Sequence, residues 1–401
     1  MKCLSLTNNK KEAARGAFGA ALCMAALTAA CTSAGLPGPQ FNTPAPGASQ
    51  TPGAGPPMPL TVPANFHVSM VSTTVSGARF MAFAPNGDLI VSETDSGQVV
   101  AIKPGTPINA APTIVASGLE VPHGLAFKGN DLYIATWTGI SVIKNYPTGI
   151  TPQTVYGGLP KTSDHKNRAL VLSPDGSSFY ESSGSDCNIC SESDAKLATI
   201  MHLNLDGSSP SIYATGVRNG SGLAFDPAGQ LWMVVNQRDD LPPDHQNLPV
   251  DEFDQVVANG NYGWPACYPD TNGNRQPNPD APVPSPSCAG QIKTSLSLQA
   301  HSAPLGIVFY NGSMFPAQYK GGAFVAYHGS WDRTIPTGYK VVFVAFSKGQ
   351  PTGVSDFVTG WLGPAPGYSV SGRPVGLAVA ADGSLYISDD KNGYIYRVTY
   401  G

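Results

Sequence analysis

One hairpin, repeated along the chain, sets the limits on what this sequence can fold into. A small or apolar residue, a short apolar run, a turn rich in Asn, Asp and Gly, and a second apolar run recur at residues 81–90, 124–133, 169–180, 222–233 and 376–387. A divergent copy begins at 306–309 and resumes at 322–325. Each copy is two β-runs joined by turn chemistry, and most copies are followed by further β-runs such as 97–102 and 393–398. A hairpin cannot bury its own apolar face, so tandem copies stack. Six four-stranded units read as an all-β, six-bladed β-propeller. The run 66–71, ahead of the first hairpin, is expected to supply the outer strand of the last blade and close the ring. No stretch keeps a 3.6-residue apolar period, so helices should be few.

Two spacings between copies are long. A segment from about 237 to 301 follows the fourth hairpin, and one near 328–340 follows the fifth. Both are read as loops inserted after their blades. Propellers bind ligands around the central channel on loops held by rigid blades, so these segments are where chemistry is expected.

The first sixty residues have another character. Lys2, Lys10, Lys11 and Arg15 precede an uncharged run over 16–30. That run is shorter than the ~20 residues needed to span a bilayer, which marks a secretory signal and not a membrane helix. It ends Leu27-Thr28-Ala29-Ala30-Cys31, similar to a lipoprotein cleavage box that would leave Cys31 acylated; ordinary signal cleavage is the alternative. Residues 32–63 are Pro, Gly, Ala, Ser and Thr almost throughout, too poor in apolar groups to offset the entropy of ordering. The expected division is a signal at 1–30, a disordered tether at 31–64 and a propeller at 65–401, exported to the periplasm or outer surface of a bacterium. Membrane contact would run only through Cys31.

Cysteine usage agrees with export. With Cys31 set aside as the candidate anchor, Cys187, Cys190, Cys267 and Cys288 remain beyond the leader, an even number suited to an oxidising compartment. The economical pairing is Cys187–Cys190 and Cys267–Cys288. No histidine follows Cys190, which disfavours c-type haem.

With a formal charge of −4 and only 12% charged residues, the chain is no nucleic-acid binder. No Gly-x-Gly-x-x-Gly follows a strand and opens a helix, so a nicotinamide cofactor is not expected. The polar residues instead collect beside the inner strands: His123, His165, His301 and His328, with Arg79, Arg168, Arg218, Arg333 and Arg373. Several arginines around one channel of an acidic protein suggest an anionic ligand. Asp164 beside His165 would raise its basicity. Asp239, Asp240, Asp244, Asp251, Glu252 and Asp254 crowd together as hard oxygen donors that suit calcium on a loop, though not in EF-hand spacing.

Asp164-His165, Gly216-Val217-Arg218-Asn219-Gly220, Asp251-Glu252-Phe253 and Asn261-Tyr262-Gly263-Trp264-Pro265 occur in that order. The chain resembles the soluble sugar dehydrogenases that depend on pyrroloquinoline quinone (PQQ), most closely their L-sorbosone dehydrogenase-like branch, over about residues 65–400. The resemblance implies a six-bladed propeller holding PQQ and Ca2+ over its channel. It implies that His165 takes the proton of the substrate hydroxyl while hydride passes to the quinone, with electrons leaving to an external acceptor. Arg218 would polarise the reacting quinone carbonyl, Asn219 would contact the cofactor, and Arg333 and Arg373 would face its carboxylates. Asp251, Glu252 and Tyr262 would belong to the metal site. The chain departs from the glucose-oxidising members after His165, where it has Lys166-Asn167-Arg168, and after Asn219, where Gly220 replaces proline. The segment 236–250 is also longer. These departures bear on which sugar is oxidised. A calcium-dependent lactonase on a similar propeller, or a propeller acting only as a binding module, are the alternative readings.

Overall fold

The computed structural model describes residues 59–285 and 287–401; the expected signal, Cys31 and most of the tether lie outside the described residues. Each repeat folds as its turn chemistry requires. In the first blade Ala78–Phe83 pairs with Leu89–Glu93 across Asn86-Gly87, and Gln98–Ile102 and Thr113–Ala116 complete the sheet. Six antiparallel sheets follow this plan, and the third carries a fifth, parallel strand, Gly260–Asn261. The only helical piece among the described residues is the 3-10 turn Ala317–Tyr319.

The six innermost strands lie side by side around an axis, and Pro374–Val379 of the last blade returns against Ala78–Phe83 of the first. This close approach explains the small residue that opens several copies of the repeat. A Cβ on Gly222 would strike the carbonyl oxygen of Leu305 in the next blade, and one on Gly376 would strike that of Arg79. The apolar faces are buried between blades. Tyr133, Ile140 and Val142 of the second blade meet Leu170, Phe179 and Met201 of the third. The run ahead of the first hairpin closes the ring as expected: Phe66–Ser72 pairs antiparallel with Tyr394–Tyr400, with Phe66 opposite Tyr400 and Val68 opposite Val398. Phe66 also packs edge-on against Phe315, Tyr319 and Phe357.

Three expectations need correction. The ordered fold begins before residue 65, because Thr61 pairs with Thr359 and Leu60 and Val62 pack against the core. The segment 237–301 is not a loop after the fourth blade but contains that blade's third and fourth strands, Asp251–Gln255 and Leu296–Leu298. Likewise 328–340 connects the second and third strands of the fifth blade, Ala323–Tyr327 and Lys340–Ser347. The remainder of 237–301 holds a small hairpin, Cys267–Pro269 with Arg275–Pro277, tied down by the Cys267–Cys288 disulfide. The Cys187–Cys190 disulfide also forms as expected.

Candidate active site

The polar residues picked out in the sequence share one rim because of how the blades are registered. Within a blade the start of the innermost strand faces the end of its partner: Arg168 opposite Ser183, Gly220 opposite Val235, Pro304 opposite Tyr327 and Pro374 opposite Asp389. Residues just before one strand and just after the other therefore meet at the same end of the channel. His165, Arg218, Asn219, Asn236, His301, His328, Arg373 and Asp390 all stand there.

His165 is held by the turn that follows the second strand of blade three. Its Nδ1 lies 2.9 Å from the carbonyl oxygen of Ser185 and 3.0 Å from that residue's Oγ. A carbonyl only accepts, so Nδ1 carries the hydrogen and the lone pair is left on Nε2. Nε2 lies 3.8 Å from the Asp164 carboxylate. Burial, reinforced by the Arg218 charge, lowers the imidazole to about 4 against the pull of Asp164. It is a neutral base at pH 7 with its free nitrogen known.

Arg218 is buried, and its donors go to neutral acceptors: the carbonyl oxygens of Asn188 (3.1 Å), Asn236 (3.2 Å) and Gln237 (2.9 Å), and Asn188 Oδ1 at 2.9 Å. Its nearest carboxylate, Asp239, is 3.8 Å away and also pairs with His301 at 3.6 Å. The guanidinium is thus hydrogen-bonded only to neutral acceptors, with Asp239 as its ion-pair partner at the longer distance of 3.8 Å. Asn219 reaches Asn236 at 3.4 Å and lies against Gly184 beside His165.

Below Arg218 lies a pocket of buried carboxylates. Asp251 accepts from the backbone N–H groups of Gln237 (3.0 Å), Ser302 (2.8 Å) and Ala303 (3.1 Å). Even so, burial raises it to about 7. Burial would raise Glu252 too, but Arg275, at 2.6 Å, outweighs it and holds that carboxyl below its usual range. Asp254 is driven well up by burial and by Glu252. Gln237 binds both Asp251 and Glu252, yet its Oε1 is buried with no partner among the described residues. Glu252 and Asp254 turn to Arg275 and Asp251 to backbone N–H groups, so the three do not converge on one point. Asp254 Oδ2 and Gln237 Oε1 are nonetheless buried acceptors without a hydrogen-bond partner among the described residues, which a cation would satisfy. These acids lie on a buried strand, not on the loop expected from the sequence, because their partners come from neighbouring segments.

The other predicted residues fare differently. The Tyr262 hydroxyl is engaged by backbone: it donates to the carbonyl oxygen of Gln255 at 2.5 Å and accepts from the N–H of Val257. Arg168, expected on the anion-binding rim, is fully buried and bonded to Trp137 O, Ser183 Oγ and Pro160 O. Arg333 hangs on the 328–340 connection and donates to the carbonyl oxygens of Gln246 and Ile335. Arg373 donates to the carbonyl oxygens of His328 (3.2 Å) and Gly329 (3.0 Å). Next to it Asp390 bridges His328 at 3.0 Å and Arg79 at 2.6 Å, which overcomes burial and holds Asp390 at about 2. Arg79 Nε is buried without a partner among the described residues. The sequence did not signal Gln237, Asn236 or Asn188, which lack charge and stand in no motif.

Fold and rim together define a six-bladed β-propeller with a basic channel mouth, a half-buried neutral histidine and buried carboxylates linked to Arg218 through Gln237. The chain belongs to the TrAA12-like family, whose sequence model matches residues 60–401. A solved Trichoderma reesei carbohydrate-active enzyme of family AA12, described as a calcium structure, superposes with a TM-score of 0.74 at 25% identity, over 88% of this chain and 100% of that one. A PQQ-dependent pyranose dehydrogenase of Coprinopsis cinerea is 29% identical over 46% of this chain, a match spanning 30% of that protein's length. An uncharacterized protein of Borreliella burgdorferi is 29% identical over 85% of this chain and 91% of its own.

Proposed function

We propose that the protein is a PQQ- and Ca2+-dependent dehydrogenase that oxidises a sugar at a CH–OH or hydrated aldehyde group and passes the electrons to an external acceptor. The observation that carries this reading is the tautomer and neutrality of His165 beside the buried Arg218. An imidazole with its lone pair on Nε2 is a general base, and the reaction needs one at the substrate hydroxyl. Family membership and the PQQ-dependent and calcium-bearing relatives support the choice of cofactors. L-sorbosone, or an aldose presenting the same hydroxyl arrangement, is the substrate class this reading favours.

The residues present fit both groups. The acceptor excess around Asp251, Glu252 and Gln237 suits Ca2+. Arg218, Asn219, Arg373 and the unpartnered Nε of Arg79 suit an anionic, planar quinone, with Arg333 further out along the same rim. When bound, PQQ supplies a two-electron acceptor and Ca2+ the Lewis acidity that sharpens it. His165 Nε2 receives the hydroxyl proton as hydride leaves the same substrate carbon, and Asp164 offsets the charge that then forms on the imidazole. Ser185 keeps the ring in the required orientation through Nδ1. Arg218 adds positive charge where the departing electrons accumulate.

The test is reduction of an artificial electron acceptor by the purified protein, with PQQ and Ca2+ added together and each alone, against L-sorbosone and common aldoses. Turnover that requires both additions is expected. Absence of PQQ binding in an absorbance titration would overturn the reading.

A further inference from the structure

The turn at residues 184–190 touches both members of the proposed reactive pair. Ser185 orients His165 through Nδ1, and its N–H donates to the carbonyl oxygen of Arg218 at 2.7 Å. Ser185 Oγ donates to the carbonyl oxygen of Cys187 at 2.8 Å. One residue further, Asn188 takes hold of the guanidinium itself. Its carbonyl oxygen accepts from Arg218 Nε and its Oδ1 accepts from NH2 at 2.9 Å. The same amide is fixed on its far side: Oδ1 also accepts from the N–H of Asp239 at 2.8 Å, and Nδ2 donates to the Asp239 carbonyl oxygen at 3.1 Å. Trp264 Nε1 donates to the Asn188 carbonyl oxygen at 3.3 Å. No other side chain is hydrogen-bonded to the Arg218 guanidinium among the described residues; the Asp239 carboxylate waits at 3.8 Å.

This grip is built on a stretch with no strand of its own, between Ser178–Ser183 and Thr199–Asn204. What closes it is the Cys187–Cys190 disulfide, which brackets Asn188 in sequence. We propose that Asn188 is the positioning residue that aims Arg218, and that the Cys187–Cys190 link holds Asn188 in place to do so. The proposal rests on the reading of His165 and Arg218 as the reactive pair. Without the Asn188 amide, the guanidinium loses the side-chain acceptor of its NH2, which closes on the Asp239 carboxylate, while Nε and NH1 stay on backbone carbonyl oxygens. Its charge is then spent on that pair and withdrawn from both the quinone side and His165. The disulfide therefore serves the site as well as the fold, and it makes turnover sensitive to breaking that one bond.

The experiment compares Asn188→Ala and the double variant Cys187→Ser/Cys190→Ser with wild type and with His165→Ala. Asn188→Ala removes a hydrogen bond to a charged group, so kcat should fall roughly ten- to hundredfold while KM for the sugar stays within about threefold. Because the Arg218 charge helps to keep His165 deprotonated, the acid limb of kcat/KM should move to higher pH. PQQ affinity, titrated by absorbance on the cofactor-free protein, should weaken by roughly tenfold. The double serine variant should show the same pattern less strongly. A merely structural role would lower the melting temperature and leave the acid limb unmoved. If His165→Ala retains turnover, the reading of the reactive pair falls. If His165→Ala is inactive while Asn188→Ala keeps full kcat, an unmoved acid limb and unchanged PQQ affinity, the positioning role alone falls. Should Asn188→Ala fail to fold, the double serine variant decides by the same two readouts, and wild-type values there overturn the proposal.

Discussion

A histidine that serves as a base in a buried site must resist protonation without losing its reach to solvent-borne substrate. On the proposed reading His165 does this by desolvation and by proximity to Arg218, with Asp164 near enough to steady an imidazolium. A base works only when unprotonated, so activity is retained above the folded pKa and lost as pH falls through it. The acid limb of kcat/KM should therefore centre near 4, well below the 6.5 of an ordinary imidazole, and a limb near 6.5 in a pH–rate profile would contradict the geometry. His165→Ala should cost roughly 10²–10⁴ in kcat while leaving PQQ bound, since the ring moves a proton and does not hold cofactor. Stopped-flow reduction with quinone titrated in parallel separates the two effects. At this scale the sequence was legible where chemistry and chain order coincide, as in Asp164-His165 and Arg218-Asn219. It was not legible where direction matters. Arg168 and Arg218 both begin or precede an inner strand, yet one is spent between blades and the other faces the site. Tyr262 lies in a motif, but its hydroxyl is taken by backbone. Asn188 gave no signal at all, because an amide acquires its role only from what the fold brings to it.

The elements were readable in proportion to how ordinary their hairpins are. Asn86-Gly87 and Asp382-Gly383 turns between apolar runs announce themselves, and so did the closing run at 66–71. The third strand of blade four did not. It reads Asp251-Glu252-Phe253-Asp254-Gln255, four polar residues in five, and such a string is expected in solvent. It is a buried strand because Arg275, Gln237, Thr294 and backbone N–H groups from three segments satisfy its carboxylates. No local pattern carries that information. The ring closure makes a testable claim at the same scale. Phe66 stands at the seam where the first strand joins the last blade, its ring against Phe315, Tyr319, Phe357 and Tyr400. Phe66→Ala leaves a cavity there and should destabilise the fold by about 3–5 kcal/mol. The shift in urea midpoint at unchanged slope measures it; a loss under 1 kcal/mol would mean that the seam contributes little to closure.

Taken whole, the molecule concentrates acid where it is costliest. Asp251, Glu252 and Asp254 are all fully buried, and among the described residues only Arg275 answers Glu252 and Asp254 at ion-pair distance, while Asp251 has no such partner. A fold that keeps such a pocket carries a penalty whenever no further cation is present. Ca2+ bound only by the folded state removes part of that penalty. Through mass action it stabilises the protein by about 4 kcal/mol at a thousandfold excess over Kd. The melting temperature should rise by several degrees on adding Ca2+ to chelator-treated protein, and again with PQQ. Asp251→Asn removes the charge but keeps one oxygen, which accepts either from Gln237 or from Ser302 and Ala303, while the amide NH2 faces the N–H groups left over. In chelator the variant should melt below wild type, since one buried set of N–H donors loses its acceptor, so the readout is the further rise on adding Ca2+. With Ca2+ it should gain little or nothing. A full calcium-dependent rise in Asp251→Asn, measured by scanning calorimetry, would show that the metal is held elsewhere on the channel and that the buried acids stabilise the fold only through Arg275.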